Sequence, residues 1–133
     1  MLLSELFDGV DEECEVAGLA CDSSEVRGGY VFFCLVGGES DGHTYAADAL
    51  SRGAVAIVVE RKLALDCIQI EVEDSRSALS HAAARFYGYP AKRLKLIGVT
   101  GTNGKTTTTY IVKSIIEAAG KTCGLIGTNS IKY

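Results

Sequence analysis

Residues 98–109 read Gly98-Val99-Thr100-Gly101-Thr102-Asn103-Gly104-Lys105-Thr106-Thr107-Thr108-Thr109. A glycine-rich turn that ends in Lys-Thr is suited to holding the phosphates of a nucleotide. Gly101 and Gly104 let the backbone approach an anion with no Cβ in the way. Unpaired N–H groups of the loop and of a following first helical turn then point at the charge. Lys105 supplies a point charge for the β- and γ-phosphates, and the Thr106 hydroxyl stands where a phosphate loop offers a ligand to Mg²⁺. The spacing departs from G-x-x-x-x-G-K-[ST], whose first glycine would fall on Val99. The bland alternative is a structural turn with an incidental lysine. Four successive threonines are poor helix formers, however, and a purely structural helix gains nothing by starting on them.

Such a loop needs a buried strand before it and a helix after it. Residues 94–99 are apolar enough for the strand. Residues 105–119 carry Ile111, Val112, Ile115, Ile116 and Ala119 at helical spacing, with Gly120 as a stop. A further strand over 122–126 would close a βαβ unit. Upstream, residues 30–36 and 54–59 are continuous apolar runs, as expected of parallel strands buried on both faces. Residues 67–72 alternate, with Ile68, Ile70 and Val72 on one side and Gln69 and Glu71 on the other, which suits an edge strand with one wetter face. Helices are predicted over 44–52, with Tyr45, Ala46, Ala49 and Leu50 inward, and from Asp74 or Ser75 to Gly88, with Leu79, Ala82, Ala83 and Phe86 inward. The only proline, Pro90, marks a boundary between a small α/β domain, 1–89, and the start of a second domain, 90–133.

Composition fits an ordinary globular α/β chain. Of 133 residues, 47% are hydrophobic and 23% charged, and the formal net charge is −4. No Lys/Arg stripe offers a track for a nucleic-acid backbone. The longest uncharged run, residues 28–38, is too short for a membrane span, and the first residues lack the basic region of a signal peptide, so a cytoplasmic protein is expected. The five cysteines (Cys14, Cys21, Cys34, Cys67, Cys123) contain no Cys-x-x-Cys pair and are expected to be reduced thiols. His43 and His81 have no metal-ligand spacing; they are read as a helix-entry residue and a surface residue.

The run 97–109, followed by Gly124-Leu125-Ile126-Gly127-Thr128, resembles the start of the ATPase domain of the Mur ligases, which build the peptidoglycan stem peptide. Upstream, Asp22-Ser23-Ser24, Gly28-Gly29-Tyr30-Val31-Phe32-Phe33-Cys34-Leu35, Gly38-Glu39-Ser40-Asp41-Gly42-His43-Thr44-Tyr45 and Gly53-Ala54 are similar to the UDP-binding domain of the same family. The likeness is strongest to the tripeptide-forming branch and covers nearly the whole chain.

The resemblance implies an ATP-dependent ligase that joins diaminopimelate or L-lysine to the D-Glu carboxylate of UDP-MurNAc-L-Ala-D-Glu through an acyl phosphate. Gly101, Thr102, Asn103, Gly104, Lys105, Thr106 and Thr107 match its ATP-binding positions, with Thr106 on Mg²⁺. Cys21, Ser23, Gly38, Glu39 and Ser40 match positions that touch the UDP-sugar. Ser24 stands where the family commonly has arginine, and Cys21 where leucine is common. Ser23 and the Asp41-Gly42 pair have a plainer reading as turn residues. The family's magnesium-binding carboxylates and its amino-acid domain match nothing in these 133 residues, so no catalytic residue is assigned, and the chain is expected to be a fragment, inactive by itself and prone to self-association through exposed apolar surface in 94–127. Two other functions stay open: a stand-alone nucleotide-binding module, and another ligase sharing the Thr-Gly-Thr-Asn-Gly-Lys loop, of the folylpolyglutamate or cyanophycin synthetase type.

Overall fold

The computed structural model describes residues 1–38, 40–127, 131 and 132. The chain divides into two units, Met1–Arg93 and Leu94–Tyr133.

In the first unit, helix α1 (Leu3–Leu6) precedes β1 (Gly18–Ala20), β2 (Tyr30–Phe33), helix α2 (Ala46–Ser51), β3 (Ala54–Val59), β4 (Ile68–Glu71) and helix α3 (Ser75–Phe86). The four strands form one parallel sheet in the order β1-β2-β3-β4. All their carboxyl ends therefore lie on one edge. The unbroken apolar runs of β2 and β3 have a simple cause in the period of two: alternate side chains enter two different cores. Val31, Phe33, Ala56 and Val58 meet Leu3, Leu6 and Ala82 from α1 and α3 on one face. Phe32, Cys34, Ile57 and Val59 meet Ala46 and Ala49 of α2 on the other. β4 lies at the sheet edge, with Ile68, Ile70 and Val72 in the first core. The Gln69 amide instead holds the preceding loop, donating to the Leu63 and Leu65 carbonyls and accepting from the Leu63 N–H, each at 2.9 Å.

Helix α3 begins where its cap predicts: the Asp74 carboxylate accepts from the N–H groups of Arg76 and Ser77 at 2.9 and 3.1 Å. It ends at Gly88, which takes φ +69°. Arg85 ties this helix to α1 by a two-pronged pair with Asp8, at 2.9 and 2.7 Å, and a bond to the Leu6 carbonyl.

Several expectations need correction. β2 is shorter than 30–36, because the chain turns after Cys34 into a hairpin. Helix α2 is preceded by a 3-10 turn, Gly42–Tyr45, which turns Tyr45 out to 50% exposure. β1 and α1 carry no periodic signal in the sequence. β1 contains Gly18, over which the Tyr30 ring packs so closely that a Cβ would lie 2.6 Å from it.

The second unit contains helix α4 (Lys105–Ala118) and an antiparallel pair, β5 (Leu125–Ile126) with β6 (Ile131–Lys132). The loop and helix form as read, but the βαβ strands do not pair with each other. Residues 94–99 pair with no strand among the described residues, and Leu94, Leu96 and Ile97 are 63–73% exposed. A strand exists by its ladder, so an apolar run without a neighbour stays unpaired. The expected inward stripe of α4 is also split. Val112 and Ile116 are half-buried, whereas Ile111, Ile115 and Ala119 are exposed.

Candidate functional site

Two groups of residues have the chemistry of a binding site, one in each unit. In the first unit the group lies at the carboxyl edge of the sheet, where open parallel sheets bind ligands.

Cys21 is the first residue after β1 and is exposed. Asp22 then caps a 3-10 turn, Ser23–Glu25, accepting from the Ser24 N–H at 2.8 Å and its hydroxyl at 2.7 Å. These two bonds hold the Asp22 carboxyl below the usual carboxylate range. The carboxyl of Asp48 in α2 is held below the usual range as well, by the neighbouring Ser23 hydroxyl and by Arg52.

The segment after β2 leaves the same edge. Residues 35–38 and 40–42 form the two legs of a small hairpin: Gly42 N–H donates to the Leu35 carbonyl at 2.8 Å, Val36 bridges Asp41, and Gly37 N–H donates to the Ser40 carbonyl at 2.9 Å. Gly42 is needed there, since a Cβ would stand 2.6 Å from the Leu35 nitrogen. Gly38 and Ser40 are exposed in this hairpin, and Glu39 lies outside the described residues. The sheet thus brings Cys21, Ser23, Gly38 and Ser40 to one edge, in the segments that follow the neighbouring strands β1 and β2.

Asp41 and His43, read above as a turn and a helix entry, do both jobs and more. The Asp41 carboxylate accepts from the His43 N–H at 3.0 Å and from its ring Nδ1 at 2.6 Å, and it pairs with Arg61. The Arg61 guanidinium and the two His43 bonds hold the Asp41 carboxyl far below the usual range. The buried His43 ring accepts the Glu60 N–H on Nε2 at 3.0 Å, so the hydrogen sits on Nδ1. Glu60 in turn accepts from the Ser75 N–H and hydroxyl at 2.9 and 2.7 Å. Among the described residues no buried side-chain polar atom is left without a partner. Sequence reasoning named Ser75 only as a possible helix cap and singled out none of Arg61, Glu60 and Arg76. The signal was Asp41-Gly42-His43 shortly after the Gly37-Gly38 pair, with Glu60-Arg61 just past a strand that ends on the same edge. Cys34, buried under this hairpin, has its thiol pushed up to about 12 by burial, which makes it unreactive.

In the second unit the phosphate loop has the backbone its glycines allow. Gly104 caps α4 at φ +74° and Gly101 takes φ +149°. Nothing stands within 4 Å of a Cβ position on Gly104, so the ground above the helix N-terminus is open. Lys105 Nζ reaches back across the loop to the Gly101 carbonyl at 2.5 Å, which puts its charge over the turn. Thr102, Asn103, Thr106 and Thr107 are exposed around it. Thr109 does not face the loop's mouth chemically, for its hydroxyl donates to the Thr106 carbonyl at 2.7 Å. Free helix N–H groups, an open glycine backbone and a lysine fit a nucleotide triphosphate, and the exposed Thr106 hydroxyl fits its magnesium ion. No group of three or more His, Cys, Asp or Glu side chains among the described residues is placed to hold a metal by itself. None of the described helices is long and apolar enough to cross a membrane.

Residues 15–87 match the profile of the Mur ligase family catalytic domain, and residues 99–132 that of the Mur ligase middle domain. The UDP-N-acetylmuramoyl-L-alanyl-D-glutamate--2,6-diaminopimelate ligase of Geobacillus kaustophilus is 52% identical over 118 residues, 89% of this chain and 24% of the relative. The enzyme of the same name from Aquifex aeolicus is 49% identical over 113 residues, 85% and 23%. The chain therefore spans about a quarter of the length of the curated relatives it matches. Among solved structures, a UDP-N-acetylmuramoyl-L-alanyl-D-glutamate--2,6-diaminopimelate ligase superposes over 98% of this chain and 28% of its own, with TM-score 0.76 and 25% identity. The MurF ligase of Thermotoga maritima, solved in complex with ADP, superposes over 75% and 23%, with TM-score 0.58 and 35% identity. With a family profile matching more than half of its residues, the chain belongs to the Mur ligase family.

Proposed function

We propose that this chain supplies the substrate-holding domain and the ATP loop of an ATP-dependent ligase of peptidoglycan synthesis. The whole protein adds diaminopimelate or L-lysine to UDP-MurNAc-L-Ala-D-Glu. The observation that carries this reading is the 52% identity to a ligase of that name across both units. The name of that relative favours diaminopimelate over lysine.

Each unit has its own task. Cys21, Ser23, Gly38, Glu39 and Ser40 contact the UDP-linked substrate at the carboxyl edge of the sheet. Exposed backbone at Gly38 and the Ser23 and Ser40 hydroxyls offer the hydrogen bonds a nucleotide needs, and the sheet edge excludes water from one side of it. Gly101, Thr102, Asn103, Gly104, Lys105, Thr106 and Thr107 hold ATP. The loop N–H groups and Lys105 neutralise the phosphates, and Thr106 is the ligand to Mg²⁺. Bound ATP supplies the phosphoryl group that activates the D-Glu carboxylate as an acyl phosphate. The residues of this chain bind and orient; none of them is assigned a bond-making step. Exposed Ile111, Ile115, Ile126 and Ile131 favour self-association of the chain by itself.

The test is the melting temperature with UDP-MurNAc-L-Ala-D-Glu and, separately, with Mg-ATP. A ligand at about 100 times its Kd adds about 2.7 kcal/mol to the unit that holds it. A shift with each ligand supports the two assignments separately, and an absent shift with either one removes that assignment.

A further inference from the structure

The hairpin built by residues 35–38 and 40–42 contains two adjacent glycines, and none of the described residues at its turn is buried: Val36 is 45% exposed, and Gly37, Gly38 and Ser40 are exposed. A segment of this kind has much conformational freedom to lose when it orders. Its own backbone bonds are few, yet both of its legs are fastened from outside. On the outgoing leg, Arg76 of α3 donates from Nη2 to the Val36 carbonyl at 3.3 Å, across 40 residues of sequence. On the returning leg, Arg61 pairs with the Asp41 carboxylate across 20 residues. The His43 ring makes a third tie, from Asp41 to the N–H of Glu60 at the end of β3. The returning leg is thereby bolted to the carboxyl end of β3 twice, and both arginines sit outside the two cores.

We propose that Arg61, assisted by Arg76, is a positioning residue that pre-forms the hairpin so that Gly38 and Ser40 are presented, already ordered, to the nucleotide part of a UDP-linked ligand. The ligand half of this proposal rests on the reading of the first unit as the UDP-binding domain. The physical argument is one of cost. A loop held in its bound form before the ligand arrives spares the binding step the ordering of its backbone. Arg61 is suited to the role because it is exposed: its side chain is 56% accessible. An exposed ion pair adds little to global stability. Its effect is therefore local, and it can be removed without unfolding the sheet.

The experiment compares the wild-type chain with Arg61→Ala, Arg61→Lys and Arg76→Ala by amide hydrogen exchange and by calorimetric titration with UDP. In Arg61→Ala the amides of Gly37, Gly42 and His43 are expected to exchange about tenfold faster, while Cys34 N–H, bonded to Val58 of β3, keeps its protection and the melting temperature is unchanged. UDP affinity falls by about tenfold in Arg61→Ala, is partly restored in Arg61→Lys, and falls less in Arg76→Ala, whose bond is longer and to a neutral acceptor. Unchanged exchange at those three amides overturns the positioning role. Faster exchange with unchanged UDP affinity overturns the link to the ligand. Absence of UDP binding by the wild-type chain overturns the UDP reading of the first unit itself, and the exchange data then still decide whether Arg61 fastens the hairpin.

Discussion

The two units of this chain use the same vocabulary of apolar strand, glycine turn and amphipathic helix, with opposite results in packing. In the first, β2 and β3 are covered on both faces, and Phe32, Phe33, Val31, Ile57 and Val58 are at most 1% exposed. In the second, α4 has no buried residue, and Leu125 is the one buried hydrophobic side chain among its described residues. The phosphate loop nevertheless has its backbone form there. A local motif built on glycine φ values and a helix start needs only its own dozen residues, whereas a core needs layers.

The largest effect expected from that contrast is in stability. Phe33 is fully buried, with its ring centroid 6.1 Å from that of Phe7. Phe33→Ala should cost about 3–5 kcal/mol in urea denaturation of the first unit, the usual loss for deleting a buried ring. A loss under about 1 kcal/mol would mean that the sheet carries far less of the stability than its burial suggests.

Gly42→Ala comes next. The new methyl would meet the Leu35 backbone at 2.6 and 2.8 Å, which no rotamer can relieve, so a cost of about 1–3 kcal/mol is expected. Gly18→Ala makes a useful contrast. Its clash is with the outer atoms of the Tyr30 ring, which can swing away, and a smaller loss should be measured.

These positions also show what the sequence could and could not convey. β3 was legible to the residue, because a strand buried on both faces must be apolar throughout, and α3 was legible from Asp74 to Gly88 because caps are local chemistry. The phosphate loop was legible for the same reason. Residues 94–99 looked like a strand, but strand formation depends on a neighbour that residue types cannot specify. β1 was invisible because three residues including Gly18 carry no period, and its glycine is explained only by the Tyr30 ring above it. The fastening of the hairpin was hidden most deeply. Asp41 and His43 gave a turn signal, but Arg61 reaches Asp41 from 20 residues away in sequence, and Arg76 reaches the Val36 carbonyl from 40.

Lys105→Ala separates the units by function instead of stability. The side chain is exposed and bonds only a loop carbonyl, so denaturation of the first unit should not change. ATP affinity should fall by about one to two orders of magnitude, the worth of a charge-assisted bond of about 1.5–3 kcal/mol. Equal ATP binding by the variant, measured by calorimetry, would remove Lys105 from the phosphate site.

Acid sharpens the comparison from the other side. The Asp41 carboxyl is held below its ordinary value by Arg61 and His43. Because the folded-state value is depressed, its contribution is present above the unfolded-state value of about 3.9 and is lost as pH falls through the folded-state value. Asp41→Asn should therefore lower the melting temperature at pH 7, with a difference from wild type that narrows below about pH 4. Because the exposed Arg61 pair adds little to global stability, this loss is assigned to the bonds that the Asp41 carboxylate accepts from the His43 N–H and ring. A difference independent of pH would mean that Asp41 acts there as a neutral turn residue.

The smallest stability effect is expected on the open face of α4. Ile115 is 64% exposed and Ile111 55%, so truncating either removes few contacts, and Ile115→Ala should stay within about 0.5 kcal/mol of wild type. What these side chains do contribute is an apolar stripe next to the phosphate loop. If that stripe drives association between copies, the double change Ile111→Ser and Ile115→Ser lowers the sedimentation coefficient measured at high concentration while leaving the melting curve of the first unit in place. Sedimentation that is the same for both proteins at every concentration would show that an exposed stripe of this size is tolerated in water, and that the difference between the two units is one of packing alone.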